Sequence, residues 1–204
     1  MTETTSRRDR NRRATRTAIS DASIALVIEH GREAVTVERI AEQAGVSRRT
    51  FFNYFSSIDA ALNAPTDDLL ARVLDEVDTR SRDESLVETV LRVISANVTL
   101  DYLQVCLDLD RAIGGHAEYV RYELESWEHA ARSFVHALVA QGGHQADGGL
   151  RLTVFVASVF GSVRATMTDW LTAVDHPITE ADLRELKQLM LSTVEVLRDG
   201  FADL

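Results

Sequence analysis

The chain has 204 residues, 45% of them hydrophobic, with a formal net charge of −10. That length buries a sizeable core in one or two domains, and a single cysteine, Cys106, excludes an internal disulfide framework. An uncharged, largely apolar stretch, residues 152–163, holds only 12 residues, short of the ~18–20 of a membrane span.

The charge is unevenly placed. Residues 1–57 hold 10 Arg against 7 Asp and Glu, and residues 58–204 hold 12 Lys and Arg against 25 acids. A basic N-terminal part on an acidic body fits nucleic-acid binding confined to one end. The arginine-rich start has no apolar segment of the kind a secretory signal needs, so a soluble cytoplasmic protein is expected.

Residues 1–6 read as disordered. A first helix is expected from about 9 to 30, with Ile19, Ala22, Ser23, Leu26 and Val27 as its buried stripe and Gly31 as its stop. Val37, Ile40, Ala41 and Ala44 recur at i, i+3, i+4 and i+7 on a second, short helix. Thr36 is its natural cap, and Gly45 can take the left-handed backbone that ends it. Ser47 caps a third helix, anchored to the core by Phe51 and Phe55. The pattern is a helix-turn-helix, whose second helix is the kind that enters a major groove.

Arg48 and Arg49 open that helix, and arginine reads guanine O6 and N7 bidentately. Asn53, one turn on, suits adenine or a phosphate. Thr50 and Tyr54 suit phosphates. Thr36 and Ser47 leave helix N-termini free to meet phosphate oxygens. Arg10, Arg12 and Arg13 belong to the strongest positive run of the chain.

A fourth helix is expected from Ser57, broken or kinked at Pro65, with Thr66 capping a restart that runs to about Thr79. Further helical patterns follow at Leu86–Ile94, Tyr102–Ile113 and Val120–Leu138, then a glycine-rich loop at Gln141–Gly149. A very apolar helix is expected over about 150–173. Thr179 with Asp182 reads as a capping box for a last helix striped by Leu183, Leu186, Met190, Val194 and Leu197. The fold class is all-α: an N-terminal three-helix helix-turn-helix domain, 1–56, followed by a helical bundle, 57–204.

Residues 14–62 resemble the TetR family of transcriptional regulators. The resemblance rests on Ile19-x-x-Ala22, Gly31, the run Thr36-Val-x-x-Ile40-Ala-x-x-Ala44-Gly45-Val46-Ser47-x-x-Thr50, and the closing Phe52-x-Tyr54-Phe55. It implies a homodimer with recognition helices one DNA turn apart and a helical body that binds a small effector and dimerises. Two positions depart from the family pattern. Ile58 stands where a lysine usually meets a phosphate, and Phe52 stands where a tyrosine is frequent. Arg10, Arg12 and Arg13 are the candidates to replace those phosphate anchors.

In the body, Trp127, Phe134, Phe155, Met167 and Trp170 are candidates to line an effector cavity. Arg164, beside the uncharged stretch, could clamp an acidic group on an otherwise apolar effector. Ala157, Gly161 and Ala165 at four-residue spacing, with Leu186, Met190 and Val194, are candidates for the dimer interface that the resemblance implies. Glu125, His129 and His136 make an incomplete metal face, so no metal, cofactor or membrane partner is expected. The chain carries no nucleophile elbow, phosphate loop or zinc-protease motif. The reading is a repressor that binds a palindromic double-stranded operator as a dimer. The alternatives are an effector-less regulator or activator and, more remotely, an all-helical enzyme.

Overall fold

A computed structural model describes residues 7–78, 86–140 and 148–199, and every regular element in it is helical. The expected disorder of 1–6, residues 141–147 of the expected loop and the helix end at Thr79 lie outside the described residues, whereas Gly148 and Gly149, expected in that loop, open a helix instead. The elements are α1 (Arg7–His30), a 3-10 turn (Arg32–Ala34), α2 (Val37–Gln43), α3 (Arg48–Tyr54), α4 (Ile58–Leu62), α5 (Ala64–Asp78), α6 (Leu86–Asn97), α7 (Leu100–Ile113), α8 (Ala117–Ala140), α9 (Gly148–Ala173) and α10 (Glu180–Asp199).

Two compact units emerge. The first takes the described residues up to Pro65 together with Asp108–Tyr122. The second takes Thr66–Leu107 and the residues from Glu123 onward. The first unit therefore reaches past α4, and it includes the α7–α8 turn and the start of α8.

The first unit closes over the stripe expected on α1. Ile19 and Val27 are fully buried, and Ile40, Phe51, Ala61 and Leu62 meet the same core. Ser20 Oγ donates to the Ala61 carbonyl at 2.9 Å, which satisfies a buried hydroxyl and ties α1 to α4. Val35, absent from the sequence expectation, is also buried.

Pro65 occupies the first turn of α5 rather than breaking a helix interior. Proline is tolerated there because that turn has no intrahelical acceptor for its missing N–H. Thr66 lies inside α5 and does not cap it. Its Oγ1 is 3.2 Å from the Tyr102 hydroxyl, a buried pair within the second unit.

The second unit has a core running through α5 to α10, centred on Leu103, Phe134, Leu186, Met190 and Val194. α9 and α10 pack together, and Thr166 Oγ1 meets Thr193 Oγ1 at 3.3 Å. The expected capping box is present: Thr179 N and Oγ1 donate to Asp182 Oδ2 at 2.7 and 2.6 Å.

The uncharged stretch understates the length of the apolar helix around it. Gly149–Ala173 is long and apolar enough, by length and composition, to cross a membrane. The hydropathy is concentrated on the face carrying Leu152, Val156, Val159, Val163 and Met167, which is buried in the unit's own core. The opposite face carries Thr153, Ala157, Gly161 and Ala165, exposed.

Candidate nucleic-acid interface and effector cavity

Gly45 takes φ +64°, and Val46 N donates back to the Ala41 carbonyl at 2.9 Å, which closes α2 and turns the chain into α3. Ser47 Oγ accepts from Thr50 N at 3.0 Å and lies 2.8 Å from Thr50 Oγ1. Thr36 Oγ1 accepts from Arg39 N at 3.4 Å. Both expected caps are therefore in place, and both lie at the surface.

The faces of α3 divide as the spacing requires. Phe51 and Phe55 are buried, with ring centroids 6.1 Å apart. Arg48, Arg49 and Asn53 are exposed, with Thr50 and Tyr54 half-buried. Arg48 Nη1 lies 3.0 Å from Glu38 Oε1, and its guanidinium carbon sits 5.6 Å from the Phe52 ring centroid. Phe52, 48% exposed, thus supports an arginine where a tyrosine would offer a hydroxyl. Ile58 is 8% exposed and belongs to the core, so the absent lysine is replaced by packing rather than by another surface group.

The N-terminal arginines separate. Arg7, Arg8 and Arg12 line an open groove with Asn53 and Tyr54. Arg10 and Arg13 are exposed but do not line it. Arg16, outside the sequence expectation, covers the Phe55 ring at 5.3 Å.

Beneath the reading head lies a charged cluster that the sequence reasoning missed. Asp59, 3% exposed, accepts from Arg32 Nε at 2.9 Å and from Nη2 at 2.6 Å. His116 Nδ1 approaches Asp59 Oδ1 at 3.5 Å, and its Nε2 approaches Glu33 Oε1 at 3.4 Å. Burial by itself pushes the Asp59 carboxyl up. The hydrogen bonds and charge of Arg32, joined by His116, outweigh it and hold the group below the usual carboxylate range. Two left-handed glycines, Gly114 at φ +59° and Gly115 at φ +77°, turn the chain so that His116 arrives here. One and a half turns along α8, the Tyr122 hydroxyl lies 2.9 Å from Ser56 Oγ. The available signal was a carboxylate in the apolar run Ile58-Asp-Ala-Ala-Leu62, with an arginine directly after Gly31.

In the second unit a cavity of about 60 Å³ is lined by α5, α6, α8 and α9. Trp127 and Phe134, two of the sequence candidates, line it. Phe155, Arg164, Met167 and Trp170 do not: Met167 is core, Phe155 and Trp170 pack at the core margin, and Arg164 is half-buried elsewhere on α9. Residues not foreseen include Leu69, Ile94, Asn97, Val159 and Phe160.

The dimer candidates also divide. Ala157, Gly161 and Ala165 are exposed, and a Cβ built on Gly161 meets nothing within 4 Å. Leu186, Met190 and Val194 are 0% exposed, enclosed by their own subunit, and have no surface left for a second copy. The exposed apolar residues nearby are Leu150 and Val154 on α9 and Leu189 and Val196 on α10. Among the described residues no group of three His, Cys, Asp or Glu is placed to hold a metal.

Residues 19–64 match the family of bacterial regulatory proteins, tetR family. Over that segment the chain is similar to TetR-family transcriptional regulators. It is 28% identical to the HTH-type transcriptional regulator TcmR of Streptomyces glaucescens over 96% of this chain and 88% of TcmR. It is 32% identical to the uncharacterized HTH-type transcriptional regulator YvdT of Bacillus subtilis over 37% of this chain, and that match spans only 39% of YvdT. The fold is that of Thermus thermophilus FadR, a TetR-family repressor solved with lauroyl-CoA: TM-score 0.58 at 21% identity, covering 91% of this chain and 94% of that one.

Proposed function

We propose that this protein is a cytoplasmic TetR-family repressor that binds a palindromic DNA operator as a homodimer and is released by a small, largely apolar effector. The observation that carries the DNA-reading half is the α3 surface, where Arg48, Arg49 and Asn53 stand exposed on a floor of Phe51, Phe55 and Ile58. Arg7, Arg8 and Arg12 beside Asn53 extend that surface with positive charge suited to phosphates. No catalytic role is assigned to any residue.

Dimerisation is assigned to the exposed faces of α9 and α10, through Leu150, Val154, Ala157, Gly161, Ala165, Leu189 and Val196. Small residues in a row allow two helices to approach closely, and the flanking apolar side chains supply buried area.

The effector's route to the head runs along α8. Its first turns, with the preceding His116, touch Ser56, Asp59 and Glu33 within the first unit. Its later turns carry Trp127 and Phe134 at the cavity. Filling the cavity moves α8, and Tyr122 and His116 move with it. Release follows if the effector binds the DNA-incompetent arrangement more tightly, one whose recognition helices no longer match half-sites ~34–36 Å apart. The small cavity favours a second reading, a regulator with no effector.

Selection of binding sites from random duplex DNA, followed by anisotropy titration, tests the proposal. An inverted repeat bound at low nanomolar concentration is expected, with Arg48→Ala and Arg49→Ala relaxing specificity at defined bases. Failure to enrich any repeat overturns the dimeric operator reading.

A further inference from the structure

We propose that Phe52 is a specificity-determining residue of the reading head, and that its exposed ring takes the C5-methyl of a thymine close to the guanine read by Arg48. The proposal rests on the DNA-reading function above and names one base that the head selects.

The ring stands on the outward surface of α3. Phe51 and Phe55 turn into the core, and Arg49 and Asn53 are exposed on the opposite side. Phe52 falls between those faces, one turn after Arg48. It is 48% exposed even though the Arg48 guanidinium carbon lies 5.6 Å from its centroid. A duplex that engages Arg48 and Arg49 therefore covers Phe52 as well.

The chemistry of the ring narrows what it meets there. A phenyl group has no hydrogen-bond donor, so it cannot serve a phosphate as a tyrosine in its place would. Pressing it against a phosphate would strip water from an anion and return no bond. Among the base edges of the major groove the thymine C5-methyl is the apolar partner, and phenylalanine is one of the side chains that meet it. That methyl projects from the backbone side of the base edge, within reach of a residue flanking the central Arg49 and Asn53. The ring is also preorganised. It stands edge-on to the buried Phe51, with centroids 5.4 Å apart and planes at 84°, so little side-chain freedom is lost on contact.

The distance to Arg48 sets the register. Successive bases lie about 3.4 Å apart along the duplex, so 5.6 Å spans between one and two steps. The thymine sits one or two steps from the guanine that Arg48 reads.

The test uses the full chain and the duplex recovered by the selection above. Each thymine of a half-site is replaced in turn by deoxyuridine, which deletes the methyl and nothing else. One thymine, within two steps of the base at which Arg48→Ala relaxes specificity, should show binding weakened about fourfold, and about 15-fold when both half-sites are changed. Phe52→Ala should bind the thymine and deoxyuridine duplexes within about 1.5-fold of each other. Phe52→Leu, which keeps an apolar side chain without the ring, should retain a penalty of about twofold or more.

A penalty that Phe52→Ala leaves unchanged makes the ring a platform for Arg48 alone and overturns the proposal, as does the absence of any penalised thymine within two steps of that guanine. Both results leave the DNA-reading function in place. Failure of the selection to enrich any site overturns that function, and the proposal with it.

Discussion

Asp59→Asn removes one charge from the Arg32–Asp59 pair and leaves the guanidinium buried against a neutral amide. The side chains are 4% exposed for Asp59 and 17% for Arg32, so water shields the orphaned cation only partly. Breaking a buried pair from one side costs about 3–5 kcal/mol. Residual solvation of Arg32, and the acceptor that asparagine keeps, place the loss near the lower end, at about 3 kcal/mol. In a chain of this size about 1 kcal/mol moves the melting temperature ~2–4 °C, so a drop of about 6–12 °C is expected. The double variant Arg32→Gln/Asp59→Asn should lose less than Asp59→Asn alone, because it removes the uncompensated charge.

Acid adds an independent signature. The folded-state pKa of Asp59 lies below its unfolded value, so its stabilisation is fully present above the unfolded pKa of about 3.9 and is lost as pH falls through the folded value. Thermal melts taken from about pH 4 downward should fall more steeply for the parent chain than for Asp59→Asn. A melting temperature within about 2 °C of the parent, strictly additive single losses, or unchanged acid sensitivity would refute the reasoning.

Arg12→Gln, beside Asn53 and Tyr54, should weaken operator binding and flatten its salt dependence by roughly 0.9 in log–log slope for each phosphate no longer neutralised. The same change at Arg13 should do less, and equal effects at both sites in anisotropy titrations would discount the groove. Gly161→Leu should shift sedimentation equilibrium toward monomer without unfolding, because its own subunit offers no clash at that Cβ; an unperturbed dimer excludes the α9 face. Tyr122→Phe deletes the hydroxyl that meets Ser56, and it should leave operator affinity within about threefold while weakening effector-driven release. Release that survives unchanged removes Tyr122 from the route.

The reading head was legible because each of its features is local. Thr36, Gly45 and Ser47 act within four residues of themselves, and Phe51 and Phe55 share a face by spacing alone. Ile58 shows what spacing misses: the missing lysine was visible, but the burial of its replacement depends on α1 and α4 meeting. The Arg32–Asp59–His116 cluster joins residues up to 84 positions apart in the sequence, and no periodicity reports that. The cavity failed for a related reason. Phe155, Met167 and Trp170 share α9 with the true lining residues Val159, Phe160 and Val163, and only packing against α5, α6 and α8 decides which face meets the void. The stripe of α10 was read correctly as apolar, yet it serves its own subunit and not a second copy.

Glu38 holds Arg48 before any DNA arrives. The carboxylate lies 3.0 Å from the guanidinium, so Arg48 carries a counterion of its own. Random duplex offers Arg48 one anionic neighbour in exchange for another, a near-even swap for an exposed pair. A correctly placed guanine offers two directed bonds instead. On the proposed DNA-reading role of Arg48, the pairing is expected to shorten dwell time on irrelevant sequence while sparing the cognate site. Glu38→Gln should lengthen residence on non-operator DNA in single-molecule tracking and narrow the gap between cognate and random binding.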